Sequence, residues 1–407
     1  MKKQKELHLF IIWEKGRQFE KEVISEIEKE FTIAQTFSIT WSPYQVANNY
    51  TRFYGASLPK GSRKELHCGI GEFRLIVVHD LKPKYDLRQT SKGMRKVNTN
   101  MFDTKAKVRE LTGGGHKIHG TDNFEETKHD LVLLTGMSVD DFLVKHDKRN
   151  HDIIMKKNLM GCYGWDDFEQ LFYVLNECTD YLILRNHENI NIEYFRNNRS
   201  DIDILTKDSN EIKYVLGDLV NLENGNEHMH VSIDNKLVMF EVYQSGKNLY
   251  HSSFENDLFR NKVTTNEIYH PNKEMEMYAL IYHALLLKKE FLEKHKARIS
   301  QKYGNYIKAN ENNEENLLAM LIDYYKEKDY KFIMPDVGYF NLRPEIKGQL
   351  IVNNNRDGFV KKVFKKTIYA KLSRRHLDIK LLQMMSIKFY LKTKVLNRFE
   401  FTFKIGR

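Results

Sequence analysis

The sequence predicts a mixed α+β protein built from several domains. Its 407 residues exceed the size of one ordinary core, and with 41% hydrophobic and 12% aromatic residues they can bury more than one. Short apolar segments typical of strands alternate with segments of helical periodicity along most of the chain. We therefore expect domains over residues 1–140 and 160–300, followed by a helical region with a basic tail over 301–407.

Hydrophobic spacing and capping residues place the individual elements. Val23 and Ile27 predict one apolar face of a helix over 17–30. Asp122 and Gly136 predict the start and the end of another helix, because Asp favours N-caps and Gly favours helix ends. The other predicted segments are strands at 7–13, 72–79, 180–185, 201–206 and 236–243, helices at 165–177, 273–296 and 316–327, and a charged linker at 139–163.

The positive charge of the chain is concentrated near its C-terminal end. The formal net charge is +10, and residues 356–407 carry 15 Lys or Arg against three acids. Such a segment is either a solvated helical face or a surface for an anionic partner: a membrane, a nucleic acid or a phosphorylated glycan. The segment contains no zinc-finger, helix-turn-helix or RNA-recognition pattern.

The composition predicts a cytoplasmic protein. Cys68, Cys162 and Cys178 lie far apart without CxxC spacing, which argues against a disulfide framework and against a zinc site. No stretch approaches the roughly 18 apolar residues of a membrane span. The apolar run at 7–13 is too short for a signal peptide. A basic tail that binds anionic lipid would place the protein at the inner face of the membrane.

Two carboxylates in the central domain are predicted to share one face of a strand. Side chains alternate along a strand, so Asp201 and Asp203 point to the same side. The intervening Ile202 and Ile204 then point into the core. Neighbouring carboxylates repel each other, and a bound Mg²⁺ removes that conflict. Glu241, in a second predicted strand, is a candidate third ligand, and a solvated strand edge is the alternative.

Residues 160–290 resemble the polymerase-β-like nucleotidyltransferase superfamily. The resemblance rests on two motifs, Ser200-Asp201-Ile202-Asp203 and Phe240-Glu241-Val242. It implies nucleotidyl transfer from an NTP with two Mg²⁺ ions bound by Asp201 and Asp203, and activation of the acceptor hydroxyl by Glu241. The family's Gly-Ser turn is replaced by Leu184-Arg185-Asn186, so Arg185 and Ser200 are the expected phosphate contacts.

A glycine-rich loop precedes the helix predicted to begin near Asp122. The glycines from Gly113 to Gly115 let the backbone approach a ligand closely, and a helix N-terminus offers free N–H groups to a phosphate. His119 lies just before this helix, where a neutral imidazole is suited to accept a phosphoryl group. A metal site made of His116, His119 and His129 is the alternative.

The segment His119-Gly120-Thr121-Asp122 resembles the His-Gly-Ser-Asp segment of nucleoside diphosphate kinases, with a resemblance over residues 7–137. It implies a ferredoxin-like domain in which His119 is transiently phosphorylated and oriented by Asp130. The nucleotide contacts that it implies are Arg88, Arg109, Gly120 and Asp122, and the glycine-rich loop adds Gly114 and Gly115 as candidate contacts. In this chain Trp13-Glu14-Lys15-Gly16 stands where the family has Lys-Pro-Asp-Gly, and His116 stands where it has Asn.

These patterns predict a Mg²⁺-dependent transferase that passes a nucleotidyl or phosphoryl group from an NTP to a small or glycan-pathway acceptor. The N-terminal domain is expected to bind the nucleotide or to carry a phosphohistidine. Two alternatives stay open. One is a non-catalytic assembly protein made of two nucleotide-binding folds, and the other is a protein that binds or modifies nucleic acid.

Overall fold

The structure is a computed structural model that describes residues 5–351 of the chain. The exceptions inside this range are Lys92, 147–151, 198–200, 218–227, Asn248, Leu292, 308–311 and 335–339. The described residues confirm a mixed α and β protein with several sheets and 13 α-helices. Ser200 and the basic segment 356–407 lie outside the described residues, and the domain boundaries stay a prediction.

Seven strands belong to the N-terminal part. They are β1 (Glu6–Ile12), β2 (Thr32–Thr40), β3 (Phe73–Asp80), β4 (Tyr85–Thr90), β5 (Gly93–Asn98), β6 (Ile118–Gly120) and β7 (Ile153–Lys156). Five of them form a sheet in the order β6-β1-β3-β2-β7, and β4 pairs with β5 in a separate hairpin. All neighbours in the larger sheet are antiparallel except β7, which runs parallel to β2.

Six helices accompany these strands. They are α1 (Glu20–Ile27), α2 (Val46–Tyr54), α3 (Arg63–Cys68), α4 (Thr99–Leu111), α5 (Phe124–Thr135) and α6 (Val139–Lys145). The apolar face predicted for the first helix is confirmed, because Val23 and Ile27 are buried. The helix predicted to start at Asp122 starts two residues later, since the side chain of Asn123 accepts the hydrogen bond from the Glu126 backbone N–H. It ends before Gly136, whose φ of 77° is left-handed.

The prediction of an irregular linker over 139–163 was wrong for much of that range, because α6 and β7 both lie inside it. Ile153 and Met155 on β7 pack against a hydrophobic core, while Ile154 between them is exposed. The preceding Asp152 accepts a hydrogen bond from the Ser38 hydroxyl at 2.8 Å and pairs with Arg74. A four-residue strand at a sheet edge is too short to give a clear period-two pattern.

A four-stranded sheet forms the central part. Its strands are β8 (Tyr181–Ile183), β9 (Asp201–Thr206), β10 (His228–Ile233) and β11 (Lys236–Gln244), and its helices are α7 (Phe168–Cys178), α8 (Ile192–Asn197) and α9 (Ser209–Leu216). The strand order is β10-β11-β9-β8. β9 and β11 are parallel neighbours, while β8 and β10 are antiparallel to the strands beside them.

The remaining described elements follow the central sheet. They are α10 (Ser252–Arg260), β12 (Lys262–Thr265), β13 (Ile268–Pro271), α11 (Lys273–Leu286), α12 (Glu293–Tyr303), α13 (Glu314–Glu327), β14 (Phe332–Ile333) and β15 (Leu350–Ile351). The single helix predicted at 273–296 is therefore two helices. The carbonyl of Leu286 accepts from the Asn341 backbone N–H at 2.7 Å, so a neighbouring segment caps the end of α11. Among the described residues, the helices are all too short or too polar to cross a bilayer.

Three hydrophobic cores alternate with the two sheets. The outer core lies between the N-terminal sheet and its helices α1 and α4, the middle core lies between the two sheets, and the C-terminal core lies between the central sheet and α10–α13. Leu9 and Ile11 on β1 enter the middle core, whereas Phe10 and Ile12 enter the outer core. Residues from both predicted domains thus share the middle core.

A buried arginine joins the two predicted domains across the middle core. Arg52 on α2 is only 3% exposed. Its Nη2 donates to the carbonyls of Met160 at 2.7 Å and Val215 at 2.8 Å, and its Nε donates to the carbonyl of Tyr214 at 3.1 Å. Because Tyr214 and Val215 lie in the last turn of α9, the cation satisfies carbonyls at that helix end.

A buried histidine organises the polar side of the N-terminal sheet. His8 Nε2 accepts from Asn98 Nδ2 at 3.0 Å, and the same amide donates to Asp80 Oδ2 at 2.9 Å. His8 Nδ1 lies 3.3 Å from the hydroxyl oxygens of Thr121 and Thr127. Burial lowers the pKa of His8 to about 4, against the opposing charge of Asp80. The native state therefore holds a neutral imidazole near neutral pH.

We predict that His8→Gln reduces the dependence of stability on pH. Because the folded pKa lies below the ordinary value, the unfolded chain binds more protons between about pH 4 and 6.5. The contribution of His8 to the wild-type free energy of unfolding should therefore fall by up to about 3 kcal/mol as the pH drops through that window. Urea unfolding across the window measures the slope. An unchanged slope in the variant would contradict this assignment.

Candidate active site

Three carboxylates meet on one face of the central sheet. Asp203 on β9 and Glu241 on β11 are direct partners in the parallel register, and Asp201 precedes Asp203 on the same face. A ligand oxygen from each of the three lies within 4.8 Å of the others. Ile202 and Ile204 are buried in the middle core, as the alternation predicts. The carboxylates therefore face the side on which the C-terminal helices pack.

Exposure differs among the three carboxylates. Asp203 is 4% exposed, while Asp201 and Glu241 are half-buried. The Oδ1 atom of Asp203 is buried and faces the Nη2 atom of Arg185. A buried oxygen of this kind, next to two further carboxylates, is a suitable ligand for a hard divalent cation such as Mg²⁺. The donor set therefore fits the predicted metal.

Arg185 neutralises the innermost carboxylate. Its Nε lies 3.2 Å from Asp203 Oδ2 and its Nη2 lies 2.5 Å from Asp203 Oδ1, so the guanidinium spans both oxygens. Its remaining nitrogen, Nη1, lies 2.6 Å from His283 Nδ1. Burial and the charges of Arg185 and Lys288 lower the pKa of His283, so this ring is neutral and accepts the hydrogen bond.

Tyr243 continues the polar face of β11 two residues beyond Glu241. Burial and the charges of Asp203 and Glu241 raise its pKa, and its hydroxyl donates a hydrogen bond to Glu241. A donor held against Glu241 fixes the orientation of that carboxylate. Tyr243 is absent from the site predicted by sequence, although period-two spacing from Glu241 was a signal that could have identified it.

A second polar centre surrounds His119 in the N-terminal part. His119 Nε2 donates to Asp130 Oδ2 at 2.7 Å, and His129 Nδ1 donates to Asp130 Oδ1 at 2.9 Å. Burial lowers the pKa of His129, but the hydrogen bond and charge of Asp130 outweigh burial and raise it. Glu126 joins His119 and Asp130 within 4.8 Å. The structure thus groups these acids, rather than His116 and His129, with His119 as a candidate ligand set.

Aromatic rings cover His119. The ring centroids of Phe53 and Tyr54 lie 5.3 and 5.8 Å from that of His119, whose side chain is 11% exposed. Trp13 stands where the nucleoside diphosphate kinase family has its lysine. It is buried in an aromatic cluster, and its ring centroid lies 4.7 Å from that of Phe73. The face on which the resemblance implies phosphate binding is therefore largely filled by aromatic side chains.

The remaining sequence-predicted nucleotide contacts are spread over different elements. Arg88, on the β4–β5 hairpin, pairs with Asp86 at 2.5 Å, and Arg109 donates through Nε to the carbonyl of Ile118 at 3.1 Å. Asp122 pairs with Lys105, which also donates to the carbonyl of Gly120 at 2.9 Å. Gly114 and Gly115 lie in the loop between α4 and β6, both with left-handed φ.

Basic side chains gather beside this loop. Lys64 lies 3.6 Å above the Tyr54 ring, and the rings of His67 and His116 lie 5.4 Å apart. Burial lowers the pKa of Lys64 to about 8, and the charge of Arg109 also lowers it. Burial and these cations lower the pKa of His116. The sequence did not identify Lys64 and His67 as candidate site residues, because they lie on a short helix that is distant from the loop along the chain.

A further cluster that the sequence did not predict lies behind Arg185. His187 and His270 stack with centroids 3.5 Å apart, and His187 Nδ1 lies 3.2 Å from Glu276 Oε1. Lys302 pairs with Glu276 at 2.5 Å and with Glu188 at 2.8 Å, so one ammonium group already bridges these two carboxylates. A separate surface cleft of about 300 Å³ lies beside α7 and the β12–β13 hairpin, and no predicted site residue lines it.

Comparisons with known proteins do not identify a family for this chain. No family model matches the sequence, and no curated protein matches it. An orthorhombic crystal structure of the Aquifex aeolicus nucleoside diphosphate kinase aligns with 34% of this chain and 99% of that chain. The identity is 12% and the TM-score is 0.23, a level of similarity that carries no argument about function.

We predict that Asp203→Asn destabilises the fold, whereas Asp201→Asn does not. Removing the Asp203 charge leaves the Arg185 guanidinium buried beside a neutral amide, which costs about 3–5 kcal/mol. Asp201 is half-buried, so the free energy of unfolding of the Asp201→Asn variant should lie within about 0.5 kcal/mol of the wild-type value. Urea unfolding of both variants measures the difference. Equal stability of the two variants would show that the ion pair does not hold this part of the structure.

Proposed function

We propose that this protein is a Mg²⁺-dependent transferase that moves a nucleotidyl or phosphoryl group from an NTP. Asp201, Asp203 and Glu241 form its active site. The observation that carries the proposal is the convergence of these three carboxylates, on neighbouring parallel strands, to within 4.8 Å. Sites of this composition hold divalent cations together with substrate phosphates. When bound, Mg²⁺ neutralises the charge of the phosphates.

The topology supports the two fold assignments that accompany this proposal. We assign a ferredoxin-like, nucleoside diphosphate kinase-like fold to the N-terminal sheet, whose order β6-β1-β3-β2 is antiparallel throughout. We assign a nucleotidyltransferase-like fold to the central sheet. It places the Asp-x-Asp strand beside a parallel strand that bears the third acid.

The side chains suggest a division of roles for nucleotidyl transfer. The acceptor oxygen attacks the α-phosphorus of the NTP, its proton passes to Glu241, and the bond to the leaving pyrophosphate breaks. The Tyr243 hydroxyl orients Glu241 for this task. Asp201 and Asp203 would hold the cation. Ser200 keeps the phosphate contact that the sequence predicts, whereas the predicted contact of Arg185 is disfavoured because its nitrogens face Asp203 and His283.

The N-terminal part offers a second candidate function, phosphoryl transfer through His119. It is favoured by the hydrogen bond from His119 Nε2 to Asp130, which leaves Nδ1 as the ring nitrogen available for attack on the γ-phosphorus. In this step the bond from the γ-phosphorus to the bridging oxygen breaks and the nucleoside diphosphate leaves. The cations Lys64 and Arg109 near the glycine loop favour an anion there. The aromatic cover on His119 disfavours this reaction, so we place the transferase activity in the central part and nucleotide binding in the N-terminal part.

The acceptor and the partners belong to the same proposal. A small molecule or a glycan precursor fits a site reached from the half-buried side of Asp201 and Glu241. The basic segment 356–407 supports an anionic membrane surface or a nucleic acid as partner, with the protein at the cytoplasmic face. A non-catalytic assembly protein is the opposing hypothesis.

We expect Asp201→Asn and Glu241→Gln each to lower Mg²⁺-dependent turnover of NTPs by at least about 100-fold, because each removes a charge that the reaction requires. His119→Ala should retain the activity. Turnover is measured as pyrophosphate and phosphate release from ATP, GTP, CTP and UTP, with a set of sugar phosphates as acceptors. Radiolabel on the α- or γ-phosphate identifies the group transferred.

Each outcome of this experiment has a distinct meaning. Transfer of α-label that requires Asp201 supports the central site. Acid-labile γ-label on the protein that only His119→Ala abolishes would move the activity to the N-terminal part. Turnover that survives all three substitutions would place the activity outside both sites. No turnover in wild type with any nucleotide and acceptor would favour the non-catalytic hypothesis.

A further inference from the structure

The carboxylate site already contains one cation from the chain itself. Asp201, Asp203 and Glu241 together carry three negative charges, and Arg185 places one positive charge against the most buried of them. Asp203 and Arg185 are 4% and 9% exposed, so water screens their attraction only weakly. Two negative charges remain for a bound ion, which matches one divalent cation.

The contacts of Arg185 fix it in this position. Two of its nitrogens reach the two oxygens of Asp203, and the third reaches the neutral ring of His283. The planar guanidinium is therefore held at three points, by a strand on one side and by α11 on the other. A side chain held in this way is poorly placed to swing out and follow a substrate phosphate.

We propose that Arg185 replaces a second metal ion, so that the site binds a single divalent cation on the side of Asp201 and Glu241. This inference rests on the proposed function and deepens it, because it sets the number of ions that the transferase uses. Asp203 serves chiefly as the partner of the built-in cation, and the Oδ1 lone pair that does not face Arg185 contributes to the bound ion. The half-buried Asp201 and Glu241 supply the accessible ligands.

The proposal predicts the number of Mn²⁺ ions bound per chain. Isothermal titration with Mn²⁺, combined with electron paramagnetic resonance of the bound ion, should count one ion in the wild type that Asp201→Asn removes. Arg185→Lys keeps a cation and should also bind one ion. Arg185→Met leaves Asp203 without its cation and should bind a second ion, with a larger increase in Tm on adding Mn²⁺.

A matched control is available in the same part of the chain. Arg196 pairs with Asp234 on the surface, where both side chains are about half exposed. Arg196→Met removes one Arg–Asp pair without touching the carboxylate site. It should therefore bind one Mn²⁺ ion and show the wild-type increase in Tm, because its loss does not change the charge near Asp203.

The results separate this inference from the proposed function. Two Asp201-dependent ions in wild type, or one ion in a folded Arg185→Met variant, would overturn the role of Arg185 and leave the transferase proposal standing. Wild-type protein that binds no Asp201-dependent ion would overturn both. If Arg185→Met folds only in the presence of Mn²⁺, the metal has replaced the guanidinium, which supports the proposal. If it does not fold at all, the wild-type and Arg185→Lys counts decide.

Discussion

The middle hydrophobic core fixes the direction in which the side chains of the central sheet point. Ile202 and Ile204 on β9 and Phe240 on β11 are buried in this core, on the face of the central sheet that α9 covers. Because strand side chains alternate, burying these residues forces Asp201, Asp203 and Glu241 to the opposite face. A shift of one residue in either strand would bury the acids and expose the apolar side chains. The position of the candidate site is thus a consequence of packing.

The same packing explains why Asp203 needs a cation. Its carboxylate lies close to the C-terminal core, where an uncompensated charge is costly. Arg185 follows the short strand β8, whose backbone continues the pairing through the hydrogen bond from the Leu184 N–H to the Asp203 carbonyl at 2.9 Å. That pairing places Arg185 beside Asp203. Stability and the proposed metal binding are therefore coupled at this residue, and Asp201 is the cleaner position for a functional test.

Much of the central site could be predicted from the sequence, because Asp201, Asp203 and their apolar neighbours carry a clear period-two pattern. The pairing of Glu241 opposite Asp203 needed the strand register, which the sequence supports only through a family resemblance. The role of Arg185 could not be predicted, since it lies just beyond a three-residue strand and its partner His283 is about 100 residues away. The aromatic cover of His119 likewise depends on α2, a helix that the sequence pattern did not identify.

The most direct test of the central site is the position of a bound metal. Crystals grown with Mn²⁺ and a non-hydrolysable NTP analogue would show the ion by its anomalous scattering. We predict one Mn²⁺ peak in contact with Asp201, Asp203 and Glu241, with the nucleotide phosphates beside it. A peak at His119 and Asp130, or nucleotide density without any metal at the three carboxylates, would contradict this account.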